Sequence, residues 1–491
     1  MEAGLSQKVE ESLEPWLREH EREMLEDIKA LVRIPSISGQ GPAEGPGGKQ
    51  YPFGKACAQV VDEAERIIRR QGLEVKTCDY YGISAVYPGE TDEQIGFFSH
   101  LDVVPPGDGW IGSPFEPVEK DGYLIGRGVA DNKGPAMAVL YTLKFFHDQK
   151  VSLKRGLFCF LGANEESGMA DIPHFLEVDI APALSLVADC GFPVCYGEKG
   201  ILTADFTCPL PAGKVPVDKL PAGSLISLEG GTASNIVPDY AEARIGGVLA
   251  EDLRALLPEE FSVEEDQGNV KAAVRGISGH AAFPEKSVNA LQKLAAALLK
   301  TGLIDKESVP ALRFIADSFS DYYGQGLNIP FEDEISGKTT HVGSTARTLA
   351  GKLFIGVNIR YAVTSPREEL EKRLIAKAAE YGYTVENVKN NPPYYRKKEE
   401  PVVCDLTAIV NDTLGTDMEP YVMGGGTYAR KLPRALGFGP GRKAEIPASL
   451  GITGGGAHQA NEVQCIQNLL DAVKIYVKAI IALEGYEKIS I

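Results

Sequence analysis

The sequence predicts an α/β protein: a mainly parallel, doubly wound domain interrupted by an inserted α+β domain. Three observations predict this. Short apolar runs alternate with helical patterns over roughly the first 200 residues. The character then changes to alternating strands with few helices and a Pro-rich turn, CPLPAGKVPVDKLPAG. After about Pro401, helices and glycine-rich turns return. The expected division is 1–200 for the first segment of the α/β domain, 201–400 for the insertion and 401–491 for the second segment.

The elements follow in order. Residues 7–35 read as a helix ending before Pro35, and 36–54 as a Gly- and Pro-rich loop. Lys55–Arg70 has helical spacing. Ile95–Ser99, Gly156–Gly162 and Leu184–Ala188 are apolar strand runs, with helical patterns at Pro135–Phe146 and Ile172–Leu176 between them. In the insertion the clearest helix is Asn289–Leu299. Val402–Leu414 and a long terminal stretch, Glu462–Leu483, read as helices of the returning segment.

Composition bounds the function. The 491 residues carry 50 Lys and Arg against 68 Asp and Glu, a net charge of −18, with 44% hydrophobic and 24% charged residues. That balance excludes disordered, collagen-like and disulfide-scaffold chains. An acidic chain with no basic block is a poor partner for nucleic acid or an anionic membrane. The charged, amphipathic N-terminus lacks the apolar core of a signal peptide. The eight Cys are scattered without a C-x-x-C pair, so buried reduced thiols and a cytoplasmic location are expected.

Only seven His are present, and His20, His147 and His174 lie on helix-like segments. His341 is ambiguous. His100, His280 and His458 stand in unusual settings. His100 and Asp102 (SHLDVVPPGDGW) directly follow an apolar strand, where ligands bind in open α/β sheets. Asp131 (GRGVADNKGPAMA) opens a helix and fits either an N-cap or a ligand. Glu165 and Glu166 (FLGANEESGMADI) follow a second strand, and Asp189 (SLVADCGFP) a third. Adjacent buried carboxylates need positive charge, which a metal supplies. His458 follows three glycines in GITGGGAHQANE, which let the backbone approach a crowded site. Each signal alone also fits a loop hydrogen bond, a cap or a solvated acidic turn. Together, two His and three carboxylates could hold two divalent cations, leaving one Glu as a base.

S-H-L-D-V-V-P, G-R-G-x-x-D-N-K-G-P, N-E-E-S-G, D-x-x-F-P followed by G-E-K-G, and G-G-G-A-H occur in one order along nearly the whole chain. In this the sequence resembles the M20 family of co-catalytic metallopeptidases, most closely its bacterial PepV-type dipeptidase branch. Cys190 departs from the pattern, standing where a small residue is expected. The resemblance implies that His100 and Asp189 bind one metal, Glu166 and His458 the other, and Asp131 both, with a cis Asp131–Asn132 peptide. It implies that Asp102 orients His100, and that Glu165 is the general base that activates a metal-bridged hydroxide. Zn2+ is the expected metal, with Mn2+ or Co2+ also suited to the donors.

The resemblance extends to the insertion, which would act as a lid. It places His280 at the tetrahedral oxyanion and Asn235 and Arg360 at the substrate's terminal carboxylate. Gly425, Gly426, Thr427 and Arg430 would form a substrate-facing loop. A lid of this length implies a monomer. The implied activity is hydrolysis of dipeptides with a free N-terminus. The alternatives are an M20-type deacylase of succinyl- or acetyl-amino acids and a non-catalytic peptide-binding protein on the same fold. A dinucleotide enzyme is disfavoured by the lack of G-x-G-x-x-G after a strand.

Overall fold

The computed structural model describes residues 2–39, 41–213, 216, 219–442 and 445–489. The chain divides into two compact units. The first comprises Met1–Gly197, Arg396–Tyr421 and Thr427–Ile491, and the second Glu198–Tyr395 and Val422–Gly426.

At the centre of the first unit are parallel strands in the order Ala435–Gly437, Leu184–Val187, Thr91–His100 and Arg155–Gly162. Gly82–Tyr87 and Glu74–Cys78 continue the sheet antiparallel beyond Arg155–Gly162. Successive side chains on a strand point to opposite faces. Phe97 meets Tyr476 of the helix Ile466–Glu484, while Phe98 meets Phe175 of the helix Asp171–Val178. Helices therefore cover both faces, as the doubly wound reading expects. A sheet covered on both sides has near-continuous apolar strands, and all eight residues of Arg155–Gly162 are buried.

Local chemistry sets the helix limits. The first helix runs Glu2–Val32 and ends before Pro35. Lys55–Arg70 is helical as its spacing predicts. The helix Lys133–Gln149 stops at Lys150, which adopts the left-handed conformation at φ 52°. Pro401 opens the helix Pro401–Leu414, and Gly415, at φ 65°, closes it. The terminal helix differs from expectation. It begins at Ile466, because Val463–Cys465 is a strand paired with Tyr123–Ile125. Glu462 thus lies in a loop. None of the eight cysteines is in a disulfide, and most of them are buried. Among the described residues no helix is long and apolar enough to cross a membrane.

The second unit is an antiparallel sheet of eight strands, with Thr340–Leu349, Lys352–Tyr361 and Gly200–Pro209 adjacent. The helices Ala290–Lys300 and Val309–Ser318 bury Leu291, Leu294, Leu298, Leu312 and Phe314 against it. Asn289 caps the first of these, accepting the N–H of Leu291 and Gln292. His341 is wholly buried in this unit. Its Nε2–H donates to the Ser318 carbonyl at 2.9 Å, and its Nδ1 accepts the Gly324 N–H at 3.1 Å. The ambiguous histidine is a core residue with both ring nitrogens satisfied.

Candidate active site

Three parallel strands of the first unit deliver acids and a histidine at their carboxyl ends. His100 ends Thr91–His100, Glu165 and Glu166 follow Arg155–Gly162, and Asp189 follows Leu184–Val187. Asp131 precedes the helix Lys133–Gln149 through a cis peptide to Asn132. The Asn132 side chain holds the arrangement together: its amide donates to Asp189 and to the Ala188 carbonyl, and its oxygen accepts from Ser99. Gly162 must be glycine in this packing, because a Cβ there would stand 2.0 Å from the Tyr428 hydroxyl.

His458 arrives from the glycine turn in a left-handed conformation at φ 63°. Gly455 has φ 92°, and a Cβ on it would meet Ile446 at 2.6 Å. His458 Nε2 lies 3.1 Å from both Asp131 Oδ2 and Glu166 Oε2. His100 Nε2 lies 3.1 Å from Asp131 Oδ1 and 3.7 Å from Asp189 Oδ1. Asp131 therefore faces one histidine with each carboxylate oxygen.

His100 Nδ1 is 3.0 Å from the main-chain carbonyl of Asp102, which can only accept. Nδ1 must carry the proton, so in the neutral ring the Nε2 lone pair points at two carboxylates. Acceptors facing acceptors call for a cation between them. One Glu165 carboxylate oxygen, Oε1, is likewise buried without a hydrogen-bond partner. Ligand atoms of His100, Asp131 and Glu166 lie within 4.8 Å of one another, as do those of His100, Glu165 and Asp189. These residues form two candidate metal clusters, and the donor set fits divalent cations.

The electrostatics carry the same message. Burial, and then the Asp189 and Glu166 charges, push Glu165 well above the usual carboxyl range. Burial and Asp131 raise Glu166 to about 7. Burial alone would lower His100, but Asp189, Asp102 and Asp131 outweigh it and hold the ring well above its ordinary value. Hydrogen bonds to Asp131 and Glu166 raise His458 to about 11. Asp131 runs the other way, because its hydrogen bonds to His100 and His458 outweigh burial and hold it below the usual carboxylate range. Two glutamates and two imidazoles keeping protons around it reflect excess negative charge, which bound cations would reverse.

The residue range 96–482 matches the model of peptidase family M20/M25/M40. The chain belongs to this family. Together with the metal clusters, membership makes the protein a metal-dependent M20 hydrolase of peptide or amide bonds. It is 30% identical over 483 residues to a putative dipeptidase of Staphylococcus aureus, covering 95% of this chain and 98% of the relative. A putative dipeptidase of Staphylococcus epidermidis is 31% identical over 480 residues, with the same coverage. The M20 fold recurs in the di-peptidase Dug1p of Saccharomyces cerevisiae at TM-score 0.55 and 16% identity, covering 99% of both chains. Human carnosine dipeptidase 1 shares it at TM-score 0.56 and 16% identity, covering 98% of this chain and 99% of that one.

The remaining expected residues of this M20 chain fall in both units. Within the second unit, Ile236 pairs with His280, and the Asn235 carbonyl accepts the Ala281 N–H. Arg360 pairs with Thr340, whose hydroxyl donates to the Ala281 carbonyl. Arg360 Nη1 also donates to the Gly424 carbonyl at 2.9 Å, beside Gly425 and Gly426. So Asn235, His280, Arg360 and the glycine turn form one neighbourhood of that unit. In the first unit, Thr427 is buried and its hydroxyl oxygen accepts the Ala429 N–H, capping the turn Tyr428–Arg430. That turn sets the Tyr428 ring 6.4 Å from the His100 ring.

Sequence reasoning missed the supports. Ser38 donates to Asp102 at 2.6 Å. Asp171 accepts the N–H of Ala163 and Asn164 and the Tyr428 hydroxyl, steadying the turn that carries the two glutamates. Lys133 Nζ, fully buried, donates to the Leu31 and Ile34 carbonyls. Lys133, at the first position of its helix, and Glu462, in a loop, lie inside the quoted motifs, but no periodicity marks either side chain as buried.

Proposed function

We propose that the protein is a dipeptidase of the PepV-type branch, cleaving the peptide bond of dipeptides with a free N-terminus. The observation that carries this reading is the pair of imidazoles flanking Asp131, one on each carboxylate oxygen. His100, Asp189 and Asp131 would hold one cation, and Asp131, Glu166 and His458 the other. Bound there, such cations would polarise the scissile carbonyl and acidify a water.

The chain's own groups do the rest. Glu165 takes the proton of the attacking water and hands it to the leaving amine. His280 donates to the carbonyl oxygen as it becomes an oxyanion. Arg360 and Asn235 receive the substrate's carboxylate, the guanidinium by its planar fork. A cavity of about 410 Å³ in the first unit, bordered by Asp131, Asp189, Arg442 and Asn468, can take a small side chain. The names of the staphylococcal relatives support dipeptides over acyl-amino acids. We further propose that the unit is monomeric and that the second unit acts as its lid.

The test is a substrate panel on metal-stripped protein reloaded with Zn2+, Mn2+ or Co2+. The reading expects turnover of Ala–Ala and carnosine-like dipeptides. Preference for N-acetyl or N-succinyl amino acids would replace it with the deacylase.

A further inference from the structure

The loop that carries Asp131 is gripped by a residue from the far end of the chain. The Glu462 and Arg127 side chains are wholly buried, and Arg127 Nη1 donates to Glu462 Oε2 at 2.6 Å. Glu462 Oε1 accepts the N–H of Ala130 at 2.8 Å and of Asp131 at 3.0 Å. The Gly128 N–H is 3.1 Å from each carboxylate oxygen. The main-chain carbonyl of Glu462 accepts the Gly126 N–H at 3.0 Å. One residue thus collects the N–H groups of Gly126, Gly128, Ala130 and Asp131 along this turn.

The same short stretch holds His458. Asn461 donates to the Thr453 carbonyl at 3.0 Å and accepts the Ile111 N–H at 2.9 Å. The Val463 N–H closes onto the Gly455 carbonyl at 3.0 Å. Arg127 is fixed from its other side, donating to the Pro106 carbonyl at 3.2 Å with its guanidinium 5.3 Å from the Trp110 ring. A buried ion pair adds little net stability over an apolar pair of equal size. Its effect here is therefore geometric. Three backbone donors and a guanidinium converge on a single carboxylate, which sets the direction in which the next side chain, Asp131, leaves the turn.

We infer that Glu462, held by Arg127, is a positioning residue that sets Asp131 against His458 and so tunes cation affinity. This rests on the two-cation reading above. Partners of this kind, one step behind the ligands, typically change metal affinity or activity 10–100-fold when altered.

The test is Glu462→Gln, titrated in the metal-stripped state with Zn2+ alone and followed by calorimetry. The amide keeps an acceptor for Ala130 and Asp131 but turns a donor toward Arg127 or Gly128. The expected result is a folded protein whose weaker Zn2+ binds about 10–100-fold less tightly, with KM for a dipeptide unchanged at saturating metal. A purely structural role would lower the melting temperature and leave Zn2+ affinity at the wild-type value, and that result overturns the inference. Should Glu462→Gln fail to fold, Arg127→Lys, which keeps the charge and gives up the fork, is read in the same way. If neither variant is recovered folded, the pair belongs to the fold alone and the inference fails. Wild-type protein binding fewer than two Zn2+ would overturn the two-cation reading as well, a result separable from failure of the variants.

Discussion

The Asp102 carboxylate accepts the backbone N–H of Glu165 at 3.0 Å, and its other oxygen accepts that of Glu166 at 3.1 Å. Asp102 is thus more than a partner for the His100 ring, which lies 3.4 Å from the same carboxylate. It fixes the turn on which both glutamates stand. Asp102→Ala should therefore lower kcat by about 10–100-fold and weaken metal retention together. Parallel metal analysis and steady-state kinetics check this. Loss of activity with metal content intact would confine Asp102 to the ring.

Glu165→Gln would remove the proposed proton carrier and keep the shape. The expected loss is about 10²–10⁴-fold in kcat with both metals retained. A variant holding more than roughly 10% of wild-type kcat would remove the general-base assignment.

His280→Ala should leave metal stoichiometry unchanged, because no expected ligand lies in its unit. The loss of one oxyanion donor is expected to cost about 10²–10³-fold in kcat. An unchanged rate would take His280 out of the mechanism.

Stripping the metals should abolish activity and also lower the melting temperature. Without cations the clustered carboxylates repel, and a ligand that binds only the folded state stabilises it. Calorimetry before and after chelation measures this, and add-back should restore both properties.

His341 supplies a pH test away from the metals. Burial lowers its pKa below the ordinary 6.5. The unfolded chain therefore binds more protons just below pH 6.5, and stability falls as the pH drops through that value. Melting temperatures at pH 7.5 and 5.5 should differ more for wild type than for His341→Gln. Equal differences would mean that His341 does not titrate on unfolding.

Much of the site was legible because its residues follow apolar strands, and a strand end in an open α/β sheet is a known place for chemistry. His100, Glu165, Glu166 and Asp189 each stand just beyond such a run. Asp131 needed company to be read as a ligand, since an acid at a helix start is more often a cap. The supports were not legible. Asp171 and Glu462 act through backbone donors, and Ser38 through a carboxylate, all brought close by folding, and nothing in their neighbours' spacing announces that. The terminal helix begins four residues later than its spacing predicts, because Val463–Cys465 pairs with a strand more than 300 residues upstream. Pattern within a window does not report such a partner.

The left-handed His458 comes from the last tenth of the polypeptide, whereas the other expected ligands have all been made by Asp189. During synthesis the growing chain would hold an acidic nest long before the imidazole that completes it. A product halted just upstream of Gly454 would be inert from the outset. Release of such a fragment beside the full protein, compared for dipeptide turnover, reads out that dependence on finishing the chain.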